Sequence, residues 1–335
     1  MTPRNRRYFL SSLRAACLAC VAGMASICVP TTAGAADEPW PSRPIRFVVP
    51  FAAGGATDAM ARLLAQRMAT VWKQPVIVDN RPGAGTVLGT DIDAKAPADG
   101  TTFGIVVSAH EINPSLRPNL PYDTLKDFAA VSELGVQHMV IAANPSFPAD
   151  NLAQLIELAK KQPGKISYAS SGSGTALHLG MELLKTRAGI DILHVPYKGG
   201  APAQQNVIGG QVPLLVDIYH SSSPFIKAGK LKAIALFSPQ RPKSVPGIPT
   251  IAETVPSVSA VSVLGVVAPA ATPRAIVAKA SADMAAVIRS PDFVEHLQSM
   301  GVEAVGSTPE QFEAVIRADI EKWAPVVKSS GALPD

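Results

Sequence analysis

The stretch Val48-Val49-Pro50-Phe51-Ala52-Ala53-Gly54-Gly55-Ala56-Thr57-Asp58 constrains the fold more than any other. An apolar strand, Ile45 to Val49, stops at Pro50, which has no N–H to give to a sheet ladder. Gly54 and Gly55 permit a tight turn and close approach of a ligand to the backbone. Met60, Leu63, Leu64, Met68 and Val71 then recur at helical spacing, predicting a helix over Ala59 to Trp72 that Thr57 or Asp58 caps. A strand, a small-residue loop and a bare helix start expose unpaired N–H groups, and such ends attract anions. An ordinary βα turn of a parallel sheet has the same outline.

A second copy separates the two readings. The run Ile166-Ser167-Tyr168-Ala169-Ser170-Ser171-Gly172-Ser173-Gly174-Thr175 repeats the design later in the chain. Thr175 starts an amphipathic helix through Leu177, Leu179, Leu183 and Leu184. Neither loop carries a nucleotide signature: the first lacks G-x-G-x-x-G, and no G-K-S/T follows the glycines of the second. Two anion-attracting helix starts in two halves of one chain predict two lobes that close on one small acid.

The chain has 335 residues, 47% hydrophobic, with 30 Pro and 25 Gly, ample for two packed domains. Only 17% of residues are charged and 5% aromatic, which argues against a nucleic-acid surface. Residues 1–36 read as a cleaved export signal. Asn5-Arg6-Arg7-Tyr8-Phe9-Leu10 resembles a twin-arginine signal, although such pairs also occur in general secretory leaders. The apolar run Ala15 to Val29 is short for a membrane span, and Ala33-Gly34-Ala35-Ala36 offers a cleavage site. Cys17, Cys20 and Cys28 all fall in this leader, so the mature chain is expected to hold no disulfide and no Cys-based metal site; no cofactor is expected either. The leader also holds Arg4, Arg6, Arg7 and Arg14 and no acid. Of 30 basic and 26 acidic residues, 26 of each remain, so the mature chain is neutral and has no bulk attraction for nucleic acid or anionic membranes.

The remainder alternates strand and helix, the pattern of a parallel sheet with helices on both faces. Strands are expected at Pro75–Val78 and Thr101–Val107, with a helix at about Thr86 to Lys95 between them. Phe128 to Ala143 lacks a helical period and reads as a crossover strand into the second lobe. There follow helix Leu152–Lys161, strand Ile166–Ala169, the second glycine loop with its helix, and strands Ile192–Val195, Pro213–Ile218 and Lys232–Phe237. Val261–Val267 returns to the first lobe, which helices Pro273–Arg289, Asp292–Met300 and Pro309–Lys328 complete, the last capped by Thr308. The predicted lobes are residues 37–138 with 262–335, and 139–261.

Several blocks, in order, resemble the Bug-type solute receptors of tripartite tricarboxylate transporters. They are Trp40-Pro41-Ser42-Arg43-Pro44-Ile45 with Val49-Pro50-Phe51 and Gly54-Gly55; Asn80-Arg81-Pro82-Gly83-Ala84-Gly85; Ile112-Asn113-Pro114-Ser115-Leu116; Tyr168-Ala169-Ser170-Ser171-Gly172 with Gly174-Thr175 and His178; and His194-Val195-Pro196-Tyr197-Lys198-Gly199. The resemblance implies an α/β periplasmic-binding-protein fold of type II, a Venus-flytrap of two lobes with a hinge and a central cleft. It implies a monomeric periplasmic receptor that captures a small carboxylate for membrane permease subunits, not an enzyme. It places Phe51, Ala52, Gly54, Gly55, Thr57 and Asp58 on one side of the ligand and Ser171, Gly172, Ser173, Gly174 and Thr175 on the other. Ser108, His110, Tyr197 and Asp217 would line the distal pocket. Two departures stand out. Val263-Leu264 occupies the place of a common aromatic pair, and Val216-Asp217-Ile218 that of Phe-Asp-Asn, so no particular ligand carries over.

Single residues keep other readings. Asp217 caps a helix, pairs with a lysine, or accepts a substrate ammonium. His178 supports a cap or packs rather than touching ligand. Arg81 pairs with Asp79. Ser171 or Ser173, His178 and Asp217 supply the atoms of a hydrolytic triad, but no Gly-x-Ser-x-Gly elbow is present. A chemosensory binding protein would use the same fold and cleft.

Overall fold

A computed structural model describes residues 40–334. The expected export signal and its three cysteines lie outside the described residues. From the amino end come β1 (Ile45–Val49), α1 (Ala56–Trp72), β2 (Val76–Asn80), a 3-10 turn at Ala84–Thr86 leading into α2 (Val87–Ala94), β3 (Thr102–Val107) and α3 (Ala109–Leu116). The long β4 (Phe128–Ala143) leads to α4 (Leu152–Lys161), β5 (Ser167–Ser170), α5 (Ala176–Ala188), β6 (Leu193–Pro196), α6 (Gly200–Ile208), β7 (Leu214–Ile218), α7 (Tyr219–Lys227) and β8 (Lys232–Leu236). The chain returns through β9 (Val261–Pro269), α8 (Arg274–Ile288), α9 (Pro291–Ser299), β10 (Val302–Ala304) and α10 (Pro309–Ser330).

The strands form one mixed sheet in the order β2-β1-β3-β9-β4-β7-β5-β6, with β8 and β10 also on β4. β4 joins its two halves. Phe128 to His138 pair antiparallel with β9, whereas Met139 to Ala143 pair antiparallel with β7. α8 and α10 pack against β4, which pairs on both edges and so has little of its length left to solvent. Phe128–Ala143, which shows no helical period, is accordingly largely buried.

Each half of the sheet has its own core. Ile45, Phe47 and Phe103 meet Met60, Leu64, Met68 and Trp72 of α1. Each such buried side chain contributes about 1.5–3 kcal/mol relative to exposure. The ring of Trp72 lies 6.3 Å from Phe47 and 6.2 Å from Phe103, centroid to centroid. Val71, expected on the buried face of α1, is 47% exposed, and Trp72 fills the core position instead. In the other half Leu152 and Leu155 of α4, Tyr168 of β5 and Leu179 and Leu184 of α5 pack together. α10 serves both. Phe312 and Ile316 pack with Phe128, Val263 and Val267, while Trp323, Val326 and Val327 join the core around α5. Its start is a capping box: Thr308 Oγ1 accepts from the Gln311 amide, and Gln311 Oε1 accepts from the Thr308 amide.

Candidate functional site

Ligands of open α/β sheets sit beyond the carboxyl ends of parallel strands. β1 and β3 run parallel to each other and antiparallel to β9, so their carboxyl ends lie toward the amino end of β9. There Val261 pairs with His138. In the other half β7 ends at Ile218, opposite Met139, and β5 runs parallel to β7. Both sets of carboxyl ends therefore converge on the step from His138 to Met139.

The first glycine turn leaves β1 and enters α1. Gly54 has φ +87°, which glycine adopts without strain. Its amide donates to Asp58 Oδ2 at 2.8 Å. The same oxygen accepts from Arg62 Nε at 2.9 Å, and Asp58 Oδ1 accepts from Asn80 Nδ2 at 2.9 Å. Asn80 also donates to the Phe51 carbonyl at 3.0 Å. The bonds to Arg62 and to the Gly54 amide hold the Asp58 carboxyl down to about 2. Neither Thr57 nor Asp58 caps α1. Gly55 occupies the N-cap and has no side chain to cap with, and the Asp58 carboxylate is turned back onto the Gly54 amide. The amides of Gly55, Ala56 and Thr57 consequently have no hydrogen-bond partner among the described residues, and Ala52 to Ala56 are exposed.

The second turn repeats this wiring with a different side chain. Gly174 has φ +70°, and its amide donates to His178 Nδ1 at 3.1 Å. In both turns a positive-φ glycine amide is held by the side chain four residues on. Thr175 is the true N-cap of α5, accepting from the His178 amide at 3.3 Å and donating to the Gly172 carbonyl at 2.9 Å. The amides of Ser173, Ala176 and Leu177 have no partner among the described residues. His178 thus supports the cap, as its sequence position suggests. Beneath it, its ring stacks on His194 at 3.9 Å. His194 Nε2 meets Ser170 Oγ at 2.7 Å, and Tyr168 donates to Glu182 Oε1 at 2.9 Å. Burial lowers both histidines to about 4, so each is neutral near pH 7 and Nδ1 of His178 is free to accept. Ser173, His178, Glu182, Lys185 and His194 border a pocket of about 270 Å³.

The distal set divides. Tyr197 is half-buried against the small core of α6, and its amide donates to the Ser170 carbonyl at 3.0 Å. The Gly199 amide donates to the Ser171 carbonyl at 3.2 Å, so this segment is tied to the second turn. Asp217 ends β7 close by, but its Oδ2 accepts from Gln204 (2.6 Å), Ser221 (3.0 Å) and Ser222 (2.7 Å), which ties α6 to α7. Ser108 Oγ accepts from the Val263 amide at 2.8 Å and so pins the start of β9. His110 is buried edge-on to Phe128 at 5.0 Å and near Tyr122, with neither ring nitrogen partnered. Ser108 and His110 therefore take part in the packing of the first half, Ser108 just beyond the carboxyl end of β3, the strand beside β1. His178 and Asp217 have separate partners, so the atoms of a hydrolytic triad are not assembled. Among the described residues no three His, Cys, Asp or Glu side chains converge as a metal-binding group.

α3 connects the two turns. A Cβ on Gly174 would lie 2.5 Å from Leu116, so the end of α3 packs on the second turn. Asn113, one turn earlier, donates to the Gly85 carbonyl at 3.2 Å, and Gly89 packs directly on Pro50 at the start of the first turn. Asn80, Arg62 and Gln204 are hydrogen-bond partners of the candidate residues Asp58 and Asp217 that sequence reasoning missed. Arg62 was accessible from its i,i+4 spacing to Asp58.

A two-halved sheet with matched helix-start turns at converging strand ends defines a solute-binding protein of the periplasmic-binding-protein fold. The chain belongs to the tripartite tricarboxylate transporter family of receptors, whose model matches residues 60–332. Protein BugT of Bordetella pertussis is 36% identical over 311 residues, 92% of this chain and 94% of BugT. Two solved structures from Rhodopseudomonas palustris are similar. Rpa4515 with adipate has a TM-score of 0.77 at 34% identity, covering 88% of this chain and 100% of that one. MatC with bound malate has a TM-score of 0.73 at 30% identity, covering 86% and 100%.

Proposed function

We propose that this chain is an exported receptor that closes two lobes, residues 37–138 with 262–335 and residues 139–261, on a small carboxylated organic solute. The unpartnered amides of Gly55, Ala56 and Thr57 face one end of the solute, and those of Ser173, Ala176 and Leu177 complete its shell. The loaded receptor then delivers the solute to membrane permease subunits of a tripartite tricarboxylate transporter. The observation that carries this reading is the duplicated turn, in which the positive-φ glycine amide is occupied internally and the following amides are left for an anion. Adipate and malate in related structures support a carboxylate as that anion. Ordered water between amides and carboxylate costs little entropy and suits a family with varied ligands.

The test is a thermal-shift panel of C4 to C6 dicarboxylates, tricarboxylates, aromatic acids and acidic amino acids, with the matching methyl esters as controls. A ligand at a hundred times its Kd stabilises by about 2.7 kcal/mol, an upward shift of roughly 5 °C in a chain this size. The reading expects at least one acid to do this and its ester to fail. Gly54→Val and Gly174→Val should each remove the shift, the first by its φ, the second also by collision with Leu116. Stabilisation by no acid, or undiminished shifts in both variants, contradicts it.

A further inference from the structure

A groove of about 1090 Å³ crosses the region around His138 where the two halves of the sheet meet, and no residue of either glycine turn lines it. None of the expected carboxylate-binding residues lines it. One bank is α7 with residues 238–245; the other is the end of α8, α9 and β10. The floor is apolar where β4 and its neighbours pass beneath, at Val136, Val261 and Val302. The rim carries Lys227, Arg241, Lys243 and Arg289 against a single acid, Glu303. Residues 37–335 are neutral as a whole, so this concentration of cations is local and not a property of composition.

How those cations are engaged matters. Arg241 is ion-paired with Glu253 at 2.6 Å, outside the groove lining, and Arg289 donates weakly to the Val305 carbonyl at 3.4 Å. Lys227 and Lys243 are exposed and make no ion pair or side-chain hydrogen bond among the described residues. Glu303 is occupied by His138, whose other ring nitrogen meets Ser238. A small-anion site gathers short, buried donors around one point. Here the donors are long, exposed side chains spread along a rim above an apolar floor. An apolar centre with a charged border is the anatomy of a protein–protein contact, and the sign of the border selects the partner.

We infer that this groove docks an acidic segment of a partner protein, one that sets apolar side chains on the floor and Asp or Glu side chains against Lys227, Lys243 and Arg289. The groove draws its banks from both halves of the sheet. His220 of α7 packs against Gly301 at the start of β10, and His138 links Glu303 of one bank to Ser238 of the other. Any change in the angle between the halves alters its width, so a partner seated here reads whether the receptor is open or closed.

The experiment uses the mature chain and labelled acetyl-(Leu-Glu)5-amide as the probe, with acetyl-(Leu-Lys)5-amide and citrate as comparisons. Fluorescence anisotropy should show binding of the acidic peptide, weakened between about 50 mM and about 300 mM salt as screened surface charges require. The variant Lys227→Glu with Lys243→Glu and Arg289→Glu should lose about tenfold in affinity through charge reversal at the rim. It should keep its melting temperature and its response to carboxylates at the glycine turns. Hydrogen exchange should slow within residues 219–227, 238–245 and 294–304. No binding by the wild type, equal binding by the variant or by the basic peptide, or protection of these segments by citrate but not by the peptide, would overturn the inference. Because the carboxylate response is read separately, failure here leaves the receptor reading standing, and its failure leaves this one testable.

Discussion

Asp58 and His178 do the same work in the two turns with opposite chemistry. Each accepts a hydrogen bond from the amide of the glycine four residues before it, and each fixes which amides remain for an anion. A carboxylate so close to the proposed anion site is tolerable because Arg62 neutralises it at 2.9 Å. Asp58→Ala should free the Gly54 amide, leave Arg62 and Asn80 without their carboxylate partner, and cost about 1–3 kcal/mol of stability. Carboxylate affinity measured by calorimetry should fall at least in step. His178→Phe keeps a ring against His194 but leaves the buried Gly174 amide without its acceptor, so it should weaken binding and cost about 1–3 kcal/mol of stability. Binding unchanged in His178→Phe would show that the turn holds itself without its clamp. Sequence position was enough to read His178 as a cap-supporting residue and Arg81 as the partner of Asp79, which it meets at 2.9 Å. It could not orient Ser108, His110 or Asp58. Side-chain direction depends on neighbours from distant strands, such as Val263 for Ser108 and Asn80 for Asp58.

At the scale of elements, long periodic segments were legible and short or interrupted ones were not. The crossover strand Phe128–Ala143, the helix over α1 and the cap of α10 follow from apolar runs, 3.6-residue spacing and a Thr with Gln three residues on. α3 escaped because it begins directly at the end of β3 and contains Pro114; α7 escaped because its Ser-rich start reads as a loop. β10 has only three residues, and its pairing with Gly135 to Gln137 is set by tertiary packing. α3 also carries a testable strain. Glu111 is fully buried against the α10 side of the molecule, with neither carboxylate oxygen partnered. Burial and then the nearby Asp319 push it up to about 8. The folded chain holds this proton while the unfolded chain releases it above the ordinary value of 4.5, so stability falls as pH rises from about 4.5 to about 8. Glu111→Gln should therefore raise the melting temperature most at pH 8 and least at pH 5. An equal effect at both values would mean that Glu111 is ionised in the folded chain.

For the whole molecule, two α/β halves are joined by β4 and β9 and bridged by α10, whose two ends belong to different cores. Alternation of strands and helices made the class of fold readable, and the duplicated glycine turn was readable as a pair of helix starts that the proposed carboxylate would use. The large cationic groove was not readable, since its banks come from residues 219–245 and 289–304, which only the fold brings together. The central claim is that one carboxylate ligand engages both turns at once. Hydrogen exchange of the mature chain, with and without a saturating acid taken from the thermal-shift panel, tests it amide by amide. The account predicts that exchange slows together at Gly55 to Thr57 and at Ser173 to Leu177. Protection of one turn alone, or of neither, would contradict it.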